Sequence, residues 1–109
     1  MPYDQDIDSR IRKAVSGWKG VSSKKMFGGV CHLLNGNMVG GVYKDYMILR
    51  LGTEEAERAL RRKHVKEFDI TGKAMKGWVM VEKEGFITDQ ELGDWLRKAE
   101  RFVKTLPPK

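Results

Sequence analysis

The sequence predicts an α+β domain in two layers, with one mainly antiparallel sheet, helices packed on its core face, and the element order α-β-β-β-α-β-β-α. Three observations predict it. Amphipathic helical stripes stand at both ends of the chain, a hairpin-rich stretch runs from Gly28 to Leu51, and a second pair of strands follows a short helix.

The first helix is read from about Asp4 to Trp18, where Ile7, Ile11, Ala14, Val15 and Trp18 recur at helical spacing. Asp4, Asp6 and Asp8 resemble the start of a calcium loop, but Ser9 stands where the glycine is required and Val15 where the bidentate Glu belongs. Acids in the first turn of a helix explain them through the macrodipole. Asn35-Gly36 is a type I′ hairpin signal, since both central residues of that turn need positive φ. It pairs Leu34 with Asn37, and by continuous register Cys31 with Gly40. Lys44-Asp45 is a weaker two-residue turn pairing Tyr43 with Tyr46, which completes a three-stranded meander. Thr53 is read as the N-cap of a helix from Glu54 to about Lys63 that faces Ala56, Ala59 and Leu60 inward. Two strands are expected at Glu67 to Ile70 and Gly77 to Glu82, joined by a Thr71-Gly72-Lys73 turn. Thr88 and Glu91 form a capping box with Ile87 placed to staple onto Leu92, and a stripe from Leu92 to Leu106 runs until Pro107 stops it.

Alternation along the strands sorts the meander into two faces. Cys31, Leu33, Met38, Val42, Met47, Leu49 and Leu51 form the expected core face. Val30, His32, Val39, Tyr43, Tyr46, Ile48 and Arg50 fall on the other, a candidate protein interface because it is too apolar for a plain solvent face. A homodimer through this face is one form of that interface.

At 109 residues the chain is read as one domain, residues 1–109, burying roughly 65% of its unfolded surface. It is 40% hydrophobic and 33% charged, with no apolar run near the ~18 residues of a membrane span and no secretory leader, so no membrane contact is expected. A single cysteine excludes an internal disulfide, and a cytoplasmic location is the expectation. The net charge of +6 is concentrated in residues 1 to 63, with a dense cluster at Arg58, Arg61, Arg62 and Lys63 and a smaller pair at Lys24 and Lys25. These six are the candidate nucleic-acid contacts. Glu54 and Glu57, four residues before Arg58 and Arg61, supply the simpler reading of helix-stabilising pairs.

No catalytic, metal or cofactor site is predicted. Cys31 and His32 are neighbours on a strand, so they point to opposite faces and make no nucleophile and base pair. One Cys and two His leave a four-ligand zinc site short of donors. Gly28-Gly29 and Gly40-Gly41 lie in or beside paired strands rather than between a strand and a helix start, where phosphate cradles sit. The methionines are read chiefly as core fillers.

Lys24-Lys25-Met26-Phe27-Gly28-Gly29 entering a strand, then Asn35-Gly36-Asn37-Met38 and Tyr46-Met47-Ile48-Leu49-Arg50, resemble the N-terminal domain of the TfoX/Sxy regulators of competence genes. The Gly77-Trp78 strand and the Trp95 helix extend the resemblance over nearly the whole chain. It implies a two-layer α+β fold, no catalytic residues, and a part in activating DNA-uptake genes with the cyclic-AMP receptor protein. Full-length regulators of that kind continue into a helical domain, whereas this chain ends at Lys109, so a stand-alone N-terminal-type domain is expected. The leading functional reading is a regulatory protein-interaction domain whose partner is the receptor protein or other transcription machinery. The alternative is weak, sequence-indifferent nucleic-acid binding by the basic cluster; an enzyme ranks last.

Overall fold

The computed structural model describes residues 3–26, 28–69, 72 and 74–109. Six strands form one sheet: β1 Val21–Met26, β2 Gly29–Leu34, β3 Asn37–Tyr43, β4 Tyr46–Arg50, β5 Val65–Asp69 and β6 Ala74–Val81. Their order is β1-β2-β3-β4-β6-β5, and every neighbouring pair is antiparallel. Helices α1 Gln5–Val15, α2 Thr53–Ala59 and α3 Asp89–Val103, with a 3-10 turn at Lys83–Gly85, complete an α+β fold in the order α-β-β-β-β-α-β-β-α.

The α+β class is as predicted, with β1 as an added strand. Its sequence, Val21 to Met26, is polar at four consecutive exposed positions, and its two lysines guard the free edge against pairing with another chain. Expected Ile70 and parts of the Thr71-Gly72-Lys73 turn lie outside the described residues, as does Phe27. Gly72 itself has φ +86 and donates its N–H to Asp69 Oδ1 at 2.7 Å.

Local chemistry sets the helix ends. Asp4 caps α1 by accepting from the backbone N–H groups of Asp6 and Ile7, at 2.9 and 3.1 Å. The Thr88–Glu91 capping box opens α3 as expected. Ile87 does not staple onto Leu92: it is 71% exposed, and Phe86 takes the buried place instead. Thr53 is the first residue of α2 rather than its cap, which is Gly52 at φ +84.

The Asn35-Gly36 turn forms with both φ values positive and pairs Leu34 with Asn37; Lys44 at φ +54 makes the second turn and Tyr43 meets Tyr46. Between them the register corrects the sequence reading. A bulge between His32 and Leu33 moves Cys31 from the expected Gly40 to Gly41. Val39 is the extra residue, and it inverts the alternation for β2 and the start of β3, so those positions face opposite to expectation while Val42 to Arg50 do not. Val30, His32 and Val39 consequently lie under the helices, and Cys31 and Met38 face away from them.

All three helices pack on one face. Ile7, Ile11 and Val15 of α1, Ala56 and Ala59 of α2, and Leu92, Trp95, Leu96, Ala99 and Val103 of α3 bury the strand residues Val30, Leu34, Val39, Val42, Met47 and Leu49. A second, separate cluster occupies the opposite face. Cys31, Ile48, Phe68 and Trp78 are buried there beneath partly buried Met26, Met38, Tyr43, Met75 and Met80. Phe68 of β5 and Tyr43 of β3 have ring centroids 5.5 Å apart although two strands lie between theirs, a span of roughly 14 Å in a flat sheet. The sheet therefore coils over this face. An irregularity at Phe68, where pairing passes from Glu67↔Val79 to Asp69↔Ala74, lets the ring fold inward.

Gly52 is fixed by its surroundings. A Cβ there would lie 2.6 Å from Phe102 Cδ1, at a φ that L-residues rarely adopt. Gly52→Ala is expected to lower stability by about 1–2 kcal/mol, read as a shift in the urea midpoint at unchanged m.

Candidate functional site

The apolar side of the uncovered sheet face is built by β1 to β6 alone among the described residues. Phe68, stacked at a tilt on Trp78 with centroids 5.7 Å apart, forms its floor with Ile48 and Cys31. Four methionines with adaptable side chains lie over that floor, a grouping hidden from sequence reading by the bulge. Of the residues expected at an interface here, Tyr43, Tyr46 and Arg50 are half-buried on this face, and Ile48 is buried within it. Val30, His32 and Val39 are 2%, 4% and 1% exposed on the helix side, so the bulge removes them from any surface.

Cys31 has no nucleophilic setting. Burial pushes its thiol up to about 11, against smaller lowering by the Gly40 backbone and Arg50. His32, its neighbour, points the other way, towards α1, where its Nε2 stands 3.6 Å from Asp8 Oδ1. Neither atom has a hydrogen-bond partner among the described residues. Asp8 instead accepts from Arg12 Nε at 2.8 Å through its other oxygen. Burial and the Arg12 charge push His32 below its ordinary value of 6.5, and the opposing pull of Asp8 does not compensate. The carboxylate's charge is already engaged by Arg12, which explains why burial wins.

The six predicted basic residues do not form one patch. Lys24 and Lys25 sit on β1 at one end of the sheet, whereas α2 packs against β6 near the other. Lys24 pairs with Cys31 and shares the uncovered face; Lys25 pairs with Val30 and does not. Arg58 binds Glu55 at 2.9 Å, three residues back, rather than Glu54. Arg62 lies 4.3 Å over the Trp95 ring, and Arg61 and Lys63 are exposed beyond the helix. A group missed by sequence reading surrounds Phe102, to which Arg50, Lys76, Lys98 and Arg101 come from three separate elements. No spacing signal marks them.

His64, Glu82 and Glu84 bring three donor atoms within 4.8 Å of one another. Lys66 Nζ already occupies Glu82 Oε1 at 3.0 Å, and we assign no metal to them. Among the described residues no helix is long and apolar enough to cross a membrane.

An antiparallel sheet with three helices on one face and a methionine-rich apolar cluster on the other defines a small α+β domain whose distinctive surfaces are a sheet face and a basic groove. The family model described as the TfoX N-terminal domain matches residues 13–103, and the chain belongs to that family. No curated protein and no solved structure matches it.

Proposed function

We propose that this chain is a regulatory protein-interaction domain that docks through the uncovered sheet face. The observation that supports the reading is the arrangement on that face: a buried aromatic floor overlain by half-buried methionines and tyrosines, with no helix from the described residues upon it. Methionine-rich surfaces repack against varied partners, and tyrosine supplies contact area at low entropic cost. Membership of the TfoX N-terminal domain family supports a role in transcription regulation in the cytoplasm, with the cyclic-AMP receptor protein or other transcription machinery as partner, and a non-enzymatic action.

Direct titration of labelled protein with purified cyclic-AMP receptor protein, with and without its nucleotide, tests the partner. Tyr46→Glu is expected to weaken the complex at least about tenfold, because a carboxylate buried at an interface loses solvation. The melting temperature should change little, since Tyr46 is only partly buried at the first position of β4. Retained affinity in that variant removes the sheet face from the interface. Light scattering of the free protein at high concentration separately tests the homodimer, and a monomer there excludes it.

A further inference from the structure

We infer that the basic groove around Phe102 is a binding track for single-stranded nucleic acid, a site distinct from the sheet face although Arg50 borders both. The groove has two lobes, of about 390 Å3 and about 140 Å3, which share Gly52, Thr53 and Phe102. Arg58, Lys98 and Arg101 border the larger lobe; Arg50 and Lys76 border the smaller. The cations thus come from α2, α3, β4 and β6, and the fold alone assembles them.

Their charges are not equally available. Glu55 takes Arg58 at 2.9 Å and Lys98 at 3.7 Å, which neutralises part of the larger lobe from within. Arg50, Lys76 and Arg101 have no acidic partner among the described residues. Glu54, exposed at the rim, is the remaining acid that lines the groove. The excess is therefore positive on both sides of Phe102, a charge pattern complementary to a polyanion crossing the ring rather than to one compact anion.

The shape and the aromatic select the class of polyanion. Thr53, Glu54, Arg58, Arg101 and Thr105 are exposed walls, so the groove is an open track unlike the enclosed pockets that hold small ligands. Phe102 is partly buried, with one part of its ring open between the lobes and the rest packed on the core and Gly52, and the Arg50 guanidinium carbon lies 5.8 Å from its centroid. A single strand presents unstacked bases to such a ring while its phosphates meet the flanking cations; a duplex keeps its bases stacked inside. Three available cations bound the strength. At about −0.7 per neutralised phosphate the log-log salt slope is about −2, so affinity falls roughly 15-fold between about 50 and 200 mM salt.

The test is fluorescence anisotropy of a labelled oligo-dT strand and of a duplex of equal length. Lys76→Glu/Arg101→Glu, both exposed, is expected to weaken strand binding at low salt at least about tenfold and to flatten the slope. Arg61→Glu/Lys63→Glu, equal in charge change but outside the groove, is expected to cost about threefold or less through the general field. Phe102→Leu, which keeps apolar packing on Gly52, is expected to cost about fivefold for the strand. Thermal melts confirm that each variant is folded, and a variant that is not is replaced by Arg50→Gln. Equal losses in the two double variants, equal affinity for the duplex, unchanged affinity in Phe102→Leu, or no strand binding at low salt would each overturn the assignment.

Discussion

Phe68→Ala is expected to lower stability by about 3–5 kcal/mol, the range for truncating a large buried aromatic. Phe68 is 0% exposed and touches both Tyr43 and Trp78, so its removal opens a void beneath the uncovered sheet face rather than under the helices. The void cannot close by simple collapse. Phe68 sits at the irregularity in the β5 and β6 pairing, and the strands carrying Tyr43 and Trp78 are held in place by their own ladders, which keeps the two rings from closing the gap. Chemical unfolding monitored by tryptophan fluorescence measures the loss. Phe68→Leu should recover about half of it, because an aliphatic side chain refills volume without the aromatic contacts. A loss below about 1 kcal/mol in Phe68→Ala would mean that the second cluster is not part of the cooperative unit.

The face filled by Phe68 also shows where sequence reasoning stops. The Asn35-Gly36 turn, the Lys44-Asp45 turn and the Thr88 capping box were legible because each depends on residues close in sequence with one strong conformational preference. Strand β1 was not, since Ser22, Ser23, Lys24 and Lys25 show neither alternation nor apolar content, and an edge strand needs neither. The bulge at His32 and Leu33 is hinted at only by Gly40-Gly41 in the facing strand, which allows a bulge without fixing its place, and its single residue exchanged the faces of Val30, His32 and Val39. Three of the seven residues expected at the interface therefore lie on the other side, while Tyr43, Tyr46, Ile48 and Arg50 lie on the face expected of them. The methionine grouping follows from the same shift, because Met38 joins Met26, Met75 and Met80 only in the bulged register. The groove at Phe102 lay deeper still. Arg50, Lys76 and Arg101 belong to three different elements, and only the crossing of β4, β6 and α3 brings them to one ring.

Replacing His32 by Glu is expected to cost more than about 3 kcal/mol, whereas His32→Leu should cost less than about 1.5 kcal/mol. The contrast follows from the site. His32 is 4% exposed and faces Asp8 at 3.6 Å without a hydrogen bond, so a leucine of similar bulk gives up little there. A glutamate would place a second carboxylate in the same dry space, with Arg12 already engaged by Asp8 at 2.8 Å and half exposed. The pH dependence carries the same argument. Because burial lowers His32 below its ordinary 6.5, the unfolded chain binds the proton first as pH falls. The stability tied to neutral His32 is then fully present above the unfolded value and is lost as pH drops below about 6.5, at up to about 1.4 kcal/mol per pH unit. Below the folded-state value, where both forms are protonated, the loss levels off. Urea titrations from pH 7.5 to about 5 should therefore show a downward limb in the wild type that is shallower in His32→Leu. Parallel curves for the two proteins would show that His32 titrates alike in the folded and unfolded chains, and so that burial does not lower it.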